Sequence, residues 1–162
     1  MKPLNKIIIN KDTSFNPIWI MRQAGRYLPE FRKIRSQNQD FIKLCLNSEL
    51  SSEITLQPIK RFDLDAAIIF SDILMLPYGL GQKVKFEKNF GPKLGELNLN
   101  EIAKIDEVDF VEKIHRVYKA INKVSSNLIF LIWAQNFSQI LLFDLIHMES
   151  LKYLKILLQR QN

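Results

Sequence analysis

Arg22 and Arg26 flank Gln23-Ala24-Gly25 at the end of an apolar run, residues 17–21. Guanidinium forks bind carboxylates and phosphates bidentately, and a glycine lets the backbone approach a ligand closely. The pattern suits an oxyanion with more than one acidic group, held by two arginines and several backbone N–H groups. The same two residues also fit a plainer role as solvated surface charges. Asp72 is the second candidate. It ends the run Asp65-Ala66-Ala67-Ile68-Ile69-Phe70-Ser71. A carboxylate there can face a cleft from the end of a buried strand, or it can cap the segment that follows.

These groups need elements to position them. Pro29 suits the first turn of a helix, where its missing N–H costs nothing, and Glu30 suits the positive end of that helix. A helix is expected over residues 29–37, preceded by a tight loop and an apolar segment. A second short helix is expected over 40–46, with Phe41, Leu44 and Cys45 at helical spacing. Asn47 or Ser48 can cap a third, and Pro58 is expected to kink or end it. The apolar run within 65–72 predicts a strand buried on both faces, as in a parallel sheet. A turn or short helix should follow over 73–80, then a half-exposed strand over 84–87 that ends at Phe90-Gly91-Pro92. Residues 98–106 read as a linker. Residues 108–124 form an amphipathic helix with Phe110, Val111, Ile114, Val117, Tyr118 and Ile121 on one face.

Composition narrows the function classes. The chain has 162 residues, 47% of them hydrophobic, and a net charge of +6. That length fits one domain, and that apolar content excludes a disordered chain. The positive charge would suit an acidic partner. The basic residues are scattered and lack the aromatic-basic motifs of RNA binding, so no nucleic-acid partner is expected. The single cysteine, Cys45, cannot form an internal disulfide or a thiolate metal site, and reads as a small buried hydrophobe. His115 and His147 sit in no motif and read as structural or solvent-facing. The first 15 residues are too charged, and their apolar run too short, for a signal peptide, so a soluble cytoplasmic protein is expected. Residues 128–146 hold 14 apolar residues of 19, yet Gln135, Asn136, Gln139 and Asp144 argue against a membrane span.

The unbroken stretch Met21-Arg22-Gln23-Ala24-Gly25-Arg26-Tyr27-Leu28-Pro29-Glu30-Phe31-Arg32 resembles the N-terminal signature of the uroporphyrinogen decarboxylase family. Phe70-Ser71-Asp72-Ile73-Leu74 resembles its second signature. The likeness runs from about residue 17 to about residue 124. It implies an α/β fold, the N-terminal portion of a TIM-type (β/α)8 barrel, whose complete form typically needs about 250 residues. It implies uroporphyrinogen, a tetrapyrrole with eight carboxylates, as substrate and coproporphyrinogen as product. It implies no cofactor, because the protonated pyrrole is its own electron sink, and a homodimer if the protein is complete. Asp72 would accept hydrogen bonds from the pyrrole N–H groups and stabilise the cationic ring. Arg22 and Arg26 would clamp substrate carboxylates, Arg22 being also a candidate proton donor. Gln23, Ala24 and Gly25 would offer mainly backbone N–H groups.

The likeness then fails. The family's later Gly-rich strand end and its functional Tyr, Ser or Thr, and His have no counterpart, and Tyr153 lies in no matching motif. Residues 96–162 contain neither Gly nor Pro, where average usage gives about eight. The expectation is a family portion over 1–126 and a foreign helical, apolar tail over 127–162, produced by a change of reading frame near residue 127. Half a barrel should be inactive.

Overall fold

The computed structural model describes residues 3–125 except Phe15, Trp19, Arg22, Lys88, Asn89 and Leu97. The tail reading over 127–162, with its apolar helix and its frame change, lies outside the described residues, as does Arg22. The order of elements is α1 (Pro3–Asn10), α2 (Pro29–Gln37), α3 (Phe41–Cys45), α4 (Ser48–Phe62), α5 (Met75–Gly79), β1 (Val84–Glu87), β2 (Gly91–Leu94), α6 (Leu99–Lys104) and α7 (Glu107–Ser125). No described helix is long and apolar enough to cross a membrane. The described residues fall into two compact units. One holds residues up to Ser71 and the part of α7 from Arg116, and the other holds Asp72–His115.

In the first unit the helices start where the sequence supplies caps. Pro29 opens α2. Asp40 caps α3 by accepting from the Lys43 N–H at 3.1 Å. Asn47 caps α4 by accepting from the N–H groups of Glu49 and Leu50, both at 3.1 Å. These bonds satisfy donors that a helix start otherwise leaves orphaned. α2 buries Phe31 and Ile34 against Leu28, Leu44 and Ile54, with Leu50 and Phe70 packed on the same cluster. Cys45 is fully buried, as expected. A bidentate pair joins α2 to α4: Arg61 Nε and Nη2 donate to the two Glu30 oxygens at 2.9 and 2.8 Å. Pro58 does not end α4, which runs on to Phe62 and stops at Asp63 in the left-handed region, φ 50°. Pro58 and Ile59 are buried, so packing offsets the one backbone bond the ring removes.

The run at 65–72 is not a laddered strand. Side chains hold it instead. Asp65 N–H donates to Ile18 O at 2.9 Å, and the Asp65 carboxylate accepts from Ile18 N–H at 2.7 Å. Gln23 Nε2 donates to Ala66 O at 2.7 Å, and Gln23 Oε1 accepts from Ile68 N–H at 2.8 Å. On α4, Thr55 Oγ1 accepts from Phe70 N–H at 2.8 Å, and Ser51 Oγ donates to Phe70 O at 2.6 Å. Ile69 packs on Ala120 and Val124 of α7. The burial foreseen for the run is present, but a strand needs a ladder neighbour, and none pairs with it among the described residues.

In the second unit α5 and β1 occupy the expected places. Two expectations fail. Gly91-Pro92 opens β2, which pairs antiparallel with β1 in the register Val84 with Leu94 and Glu87 with Gly91. Gly91 has φ 86°, the left-handed conformation glycine tolerates. The supposed linker contains α6, capped by Asn98, which accepts from Asn100 N–H at 3.1 Å. The helix expected over 108–124 is α7, Glu107–Ser125.

Two substitutions test this packing. Gln23→Ala strands a buried donor and a buried acceptor, so it should lower stability by about 2–4 kcal/mol, read from the urea midpoint. Gln23→Glu, which keeps an acceptor and loses the donor, should not rescue it. Gly79→Ala should destabilise by about 1–3 kcal/mol despite alanine's better helix propensity. A Cβ there would lie 2.6 Å from Phe110 Cε2, and Phe110 is fully buried and has no room to retreat. A thermal melt of that variant at or above the parent would refute the steric account.

Candidate functional site

The signature loop is built around a buried amide. Gln23 is 2% exposed, and both ends of its side chain are spent on Ala66 and Ile68. Its side-chain amide is therefore committed to the fold. That is a structural task the sequence reading missed. Ala24 packs against the α2–α4 core. Gly25 O accepts from Leu28 N–H at 3.0 Å, closing a turn into α2. A Cβ on Gly25 would meet only the Tyr27 ring, at 3.5 Å, so the fold itself does not require glycine there. Tyr27 OH donates to Gln23 O, and its ring stacks on Phe62 with centroids 6.3 Å apart. Burial pushes the Tyr27 phenol above its ordinary range.

Arg26 is exposed and lines a surface cavity of about 410 Å3 with Phe31, Arg32, Arg35, Ser36 and Gln39. Three arginines and, among the described residues, no carboxylate line that cavity. Two of them are braced. Arg32 Nη1 donates to Arg26 O at 2.8 Å. Arg35 Nη1 donates to Asn38 O, and its guanidinium lies 5.7 Å from the Phe41 ring centroid. The nearest acidic residue in sequence, Glu30, is committed to Arg61, which holds its carboxyl below the usual range. The arrangement can bind a ligand with several carboxylates or phosphates. Sequence reasoning stopped at Arg26. The signal for the others was available, since Arg32 and Arg35 stand one turn apart on the helix that Pro29 starts.

Asp72 belongs to the second unit. Its Oδ1 accepts from Leu74 N–H at 2.9 Å, and its carbonyl accepts from Met75 N–H at 2.9 Å. It thus shapes the turn that leads to α5 without being its cap, since Leu74 holds that position and no side chain caps the helix, while Oδ2 accepts no bond among the described residues. Burial pushes its carboxyl above the ordinary range, and the Leu74 N–H pulls the other way. Beside it in sequence, Ser71 Oγ is buried and has no hydrogen-bond partner among the described residues. His115 Nδ1 lies 2.6 Å from Glu112 O on its own helix, a local contact.

The sequence that forms the signature loop, the turn at Asp72 and the helices between them falls within the match to one family's model. The chain belongs to the uroporphyrinogen decarboxylase family, whose model matches residues 1–131. The match takes in α1 and extends beyond both ends of the stretch read from sequence. Curated relatives carrying that name are similar over 112 to 122 residues. The Rickettsia canadensis protein is 49% identical over 112 residues, 69% of this chain and 33% of the relative. The Chelativorans sp. protein is 47% identical over 112 residues, again 69% and 33%. The Agrobacterium fabrum protein is 43% identical over 122 residues, 75% of this chain and 36% of the relative. The matched part thus spans about a third of these relatives' length.

The raised carboxyl of Asp72 gives a prediction with a definite sign. A carboxyl whose folded pKa exceeds the unfolded value of 3.8 weakens the fold once it ionises. The penalty is absent below the unfolded pKa, grows as pH rises through the folded value, and persists at neutral pH. Asp72→Asn keeps an acceptor for Leu74 N–H and should raise the melting temperature at about pH 7 while leaving it unchanged near pH 3. Melting curves by circular dichroism at both pH values check this, and an equal shift at both would discredit the desolvation argument.

Proposed function

We propose that residues 1–126 are the N-terminal portion of a uroporphyrinogen decarboxylase. The complete protein would convert uroporphyrinogen III to coproporphyrinogen III in the cytoplasm, as a homodimer, by removing the four acetate carboxyls without metal or organic cofactor. The observation that carries this reading is the family match over 1–131, which includes both signature stretches. In this reading the run at 65–71 is a strand of a TIM-type barrel, and its ladder neighbours belong to parts of the barrel outside the described residues. Residues 127–162 are then foreign to the family. Their lack of Gly and Pro supports that, although the match reaches five residues past the expected boundary.

The chemistry follows from the substrate and the residues. A proton adds to a pyrrole carbon beside an acetate arm, and the ring becomes a cation. The bond to the carboxylate breaks, CO2 leaves, and its electron pair neutralises the ring. A second proton then adds to the exocyclic carbon to complete the methyl group, and the first proton leaves the ring carbon, which restores the pyrrole. Arg22 and Arg26, with the backbone of Gln23, Ala24 and Gly25, would hold the flanking carboxylates. Asp72 would accept from the pyrrole N–H groups and stabilise the cation. A poorly hydrated carboxylate acts more strongly on a nearby positive charge than a solvated one.

The 162-residue chain alone should give no coproporphyrinogen when incubated anaerobically with uroporphyrinogen, since catalysis needs groups held to about half an ångström. A chimera joining residues 1–131 to the remaining two thirds of the Rickettsia canadensis relative should decarboxylate. Asp72→Asn in that chimera should cut turnover by about 10²–10³-fold. Near-normal turnover by that variant would remove Asp72 from the mechanism, and a folded but inactive chimera would overturn the assignment.

A further inference from the structure

The second unit carries a feature that the decarboxylase reading leaves unused. Lys83, Lys85 and Lys113 line one cavity of about 420 Å3 with Tyr78, Gly81 and Gln82, and no carboxylate borders it among the described residues. None of the three lysines forms an ion pair among the described residues, whereas Lys93 on the paired strand is committed to Glu87 at 3.2 Å. Three like charges gathered at one concavity repel one another, and a bound anion relieves that repulsion.

The geometry is fixed by the fold. Lys85 is on β1, Lys83 just before it, Lys113 on α7 and Tyr78 on α5. The close approach of Gly79 to Phe110 and Ile114 packs α5 against α7, the elements that carry Tyr78 and Lys113 to the cavity. Gln82 Nε2 donates to Gly95 O at 2.7 Å, and Gly95 N–H donates to Lys83 O at 2.8 Å, which braces the loop that enters β1. Gly81 has φ 77°, and a Cβ built on it would lie 3.6 Å from Lys113 Nζ. The Lys113 ammonium thus lies within van der Waals reach of that position, as does Ile105 Cδ1 at 3.5 Å.

We propose that this cavity binds a small multivalent oxyanion of phosphate or polycarboxylate chemistry, through the ammonium groups of Lys83, Lys85 and Lys113. None of its residues belongs to the candidate decarboxylase site, so the two readings stand or fall separately.

The test is a titration of the full 162-residue chain, followed through the backbone amide resonances of Gly81, Val84 and Lys85 at about 150 mM chloride, a salt level that screens loose surface attraction. One arm uses inorganic pyrophosphate and the other citrate. Saturable shifts with a midpoint below about 1 mM in either arm are expected, an affinity of roughly 4 kcal/mol or better. The responding arm identifies the acidic group. Lys85→Met combined with Lys113→Met should raise the midpoint at least tenfold, while Lys113→Arg should keep it within about threefold, since the charge remains. Where the double variant lacks a dispersed spectrum, Lys83→Met is read in the same way and should weaken binding by about threefold or more. No saturable shift in either arm, or an unchanged midpoint in the charge-removing variants, would overturn the proposal.

Discussion

The interaction on which the first unit most depends is the pairing of the Gln23 amide with the backbone of Ala66 and Ile68. A primary amide presents a donor and an acceptor together, as a peptide unit does. Placed beside an extended segment, it occupies the carbonyl of one residue and the N–H two residues on. Glutamate lacks the donor, and leucine lacks both. The Gln23 side chain is thus a surrogate for one rung of a neighbouring strand. Ser51 and Thr55, one turn apart on α4, supply another rung at Phe70. Buried backbone polar groups must find partners, and here side chains provide several of them. The consequence reaches the signature loop, because the residue that fixes the 66–68 backbone lies between the two signature arginines.

Legibility from sequence followed the range of each interaction. α3 and α4 were legible because Asp40 and Asn47 accept from N–H groups within three residues of themselves, and α2 because Pro29 suits a helix start. α7 was legible because its apolar face repeats over five turns. α6 was missed although Asn98 is a cap of the same kind, because its six residues are too few to show a period. β2 was missed because Gly91-Pro92 reads as punctuation. In the fold Gly91 supplies a positive φ and Pro92 sits in a two-stranded sheet, where a proline can stand at an edge. The side-chain role of Gln23 was not legible, since its partners lie 43 and 45 residues away. Asp72 was legible by type and only half by role. Its turn-forming bond to Leu74 is local and foreseeable, whereas its desolvation depends on packing that no local pattern encodes.

The charges of the signature helix are sorted rather than scattered. Glu30 turns to Arg61 and ties α2 to α4, while Arg26, Arg32 and Arg35 line a cavity with no acidic group among the described residues. An exposed ion pair contributes little to stability, so its structural value lies in orientation. By engaging Glu30 elsewhere, it removes the carboxylate that would otherwise compete for those guanidinium groups. Arg32 and Arg35 are held by backbone carbonyls, which fix them without neutralising them. That is the difference between an arginine used as a strut and one kept available to an anion.

The two units are held by different physics, and the difference bears on what each can tolerate. The first relies on polar side chains whose partners are specific atoms, so loss of one group leaves another buried and unpaired. The second contains a two-stranded hairpin, an element that is marginal alone. Its coherence comes from contact: Gly79 admits the Phe110 ring to van der Waals distance, and the loop before β1 is tied to Gly95. Steric contact tolerates changes of charge but not of volume. Polar surrogacy tolerates small changes of volume but not of chemistry. The lysines around the second unit's cavity can therefore vary in charge without threatening its fold, whereas Gln23 has no such freedom in the first.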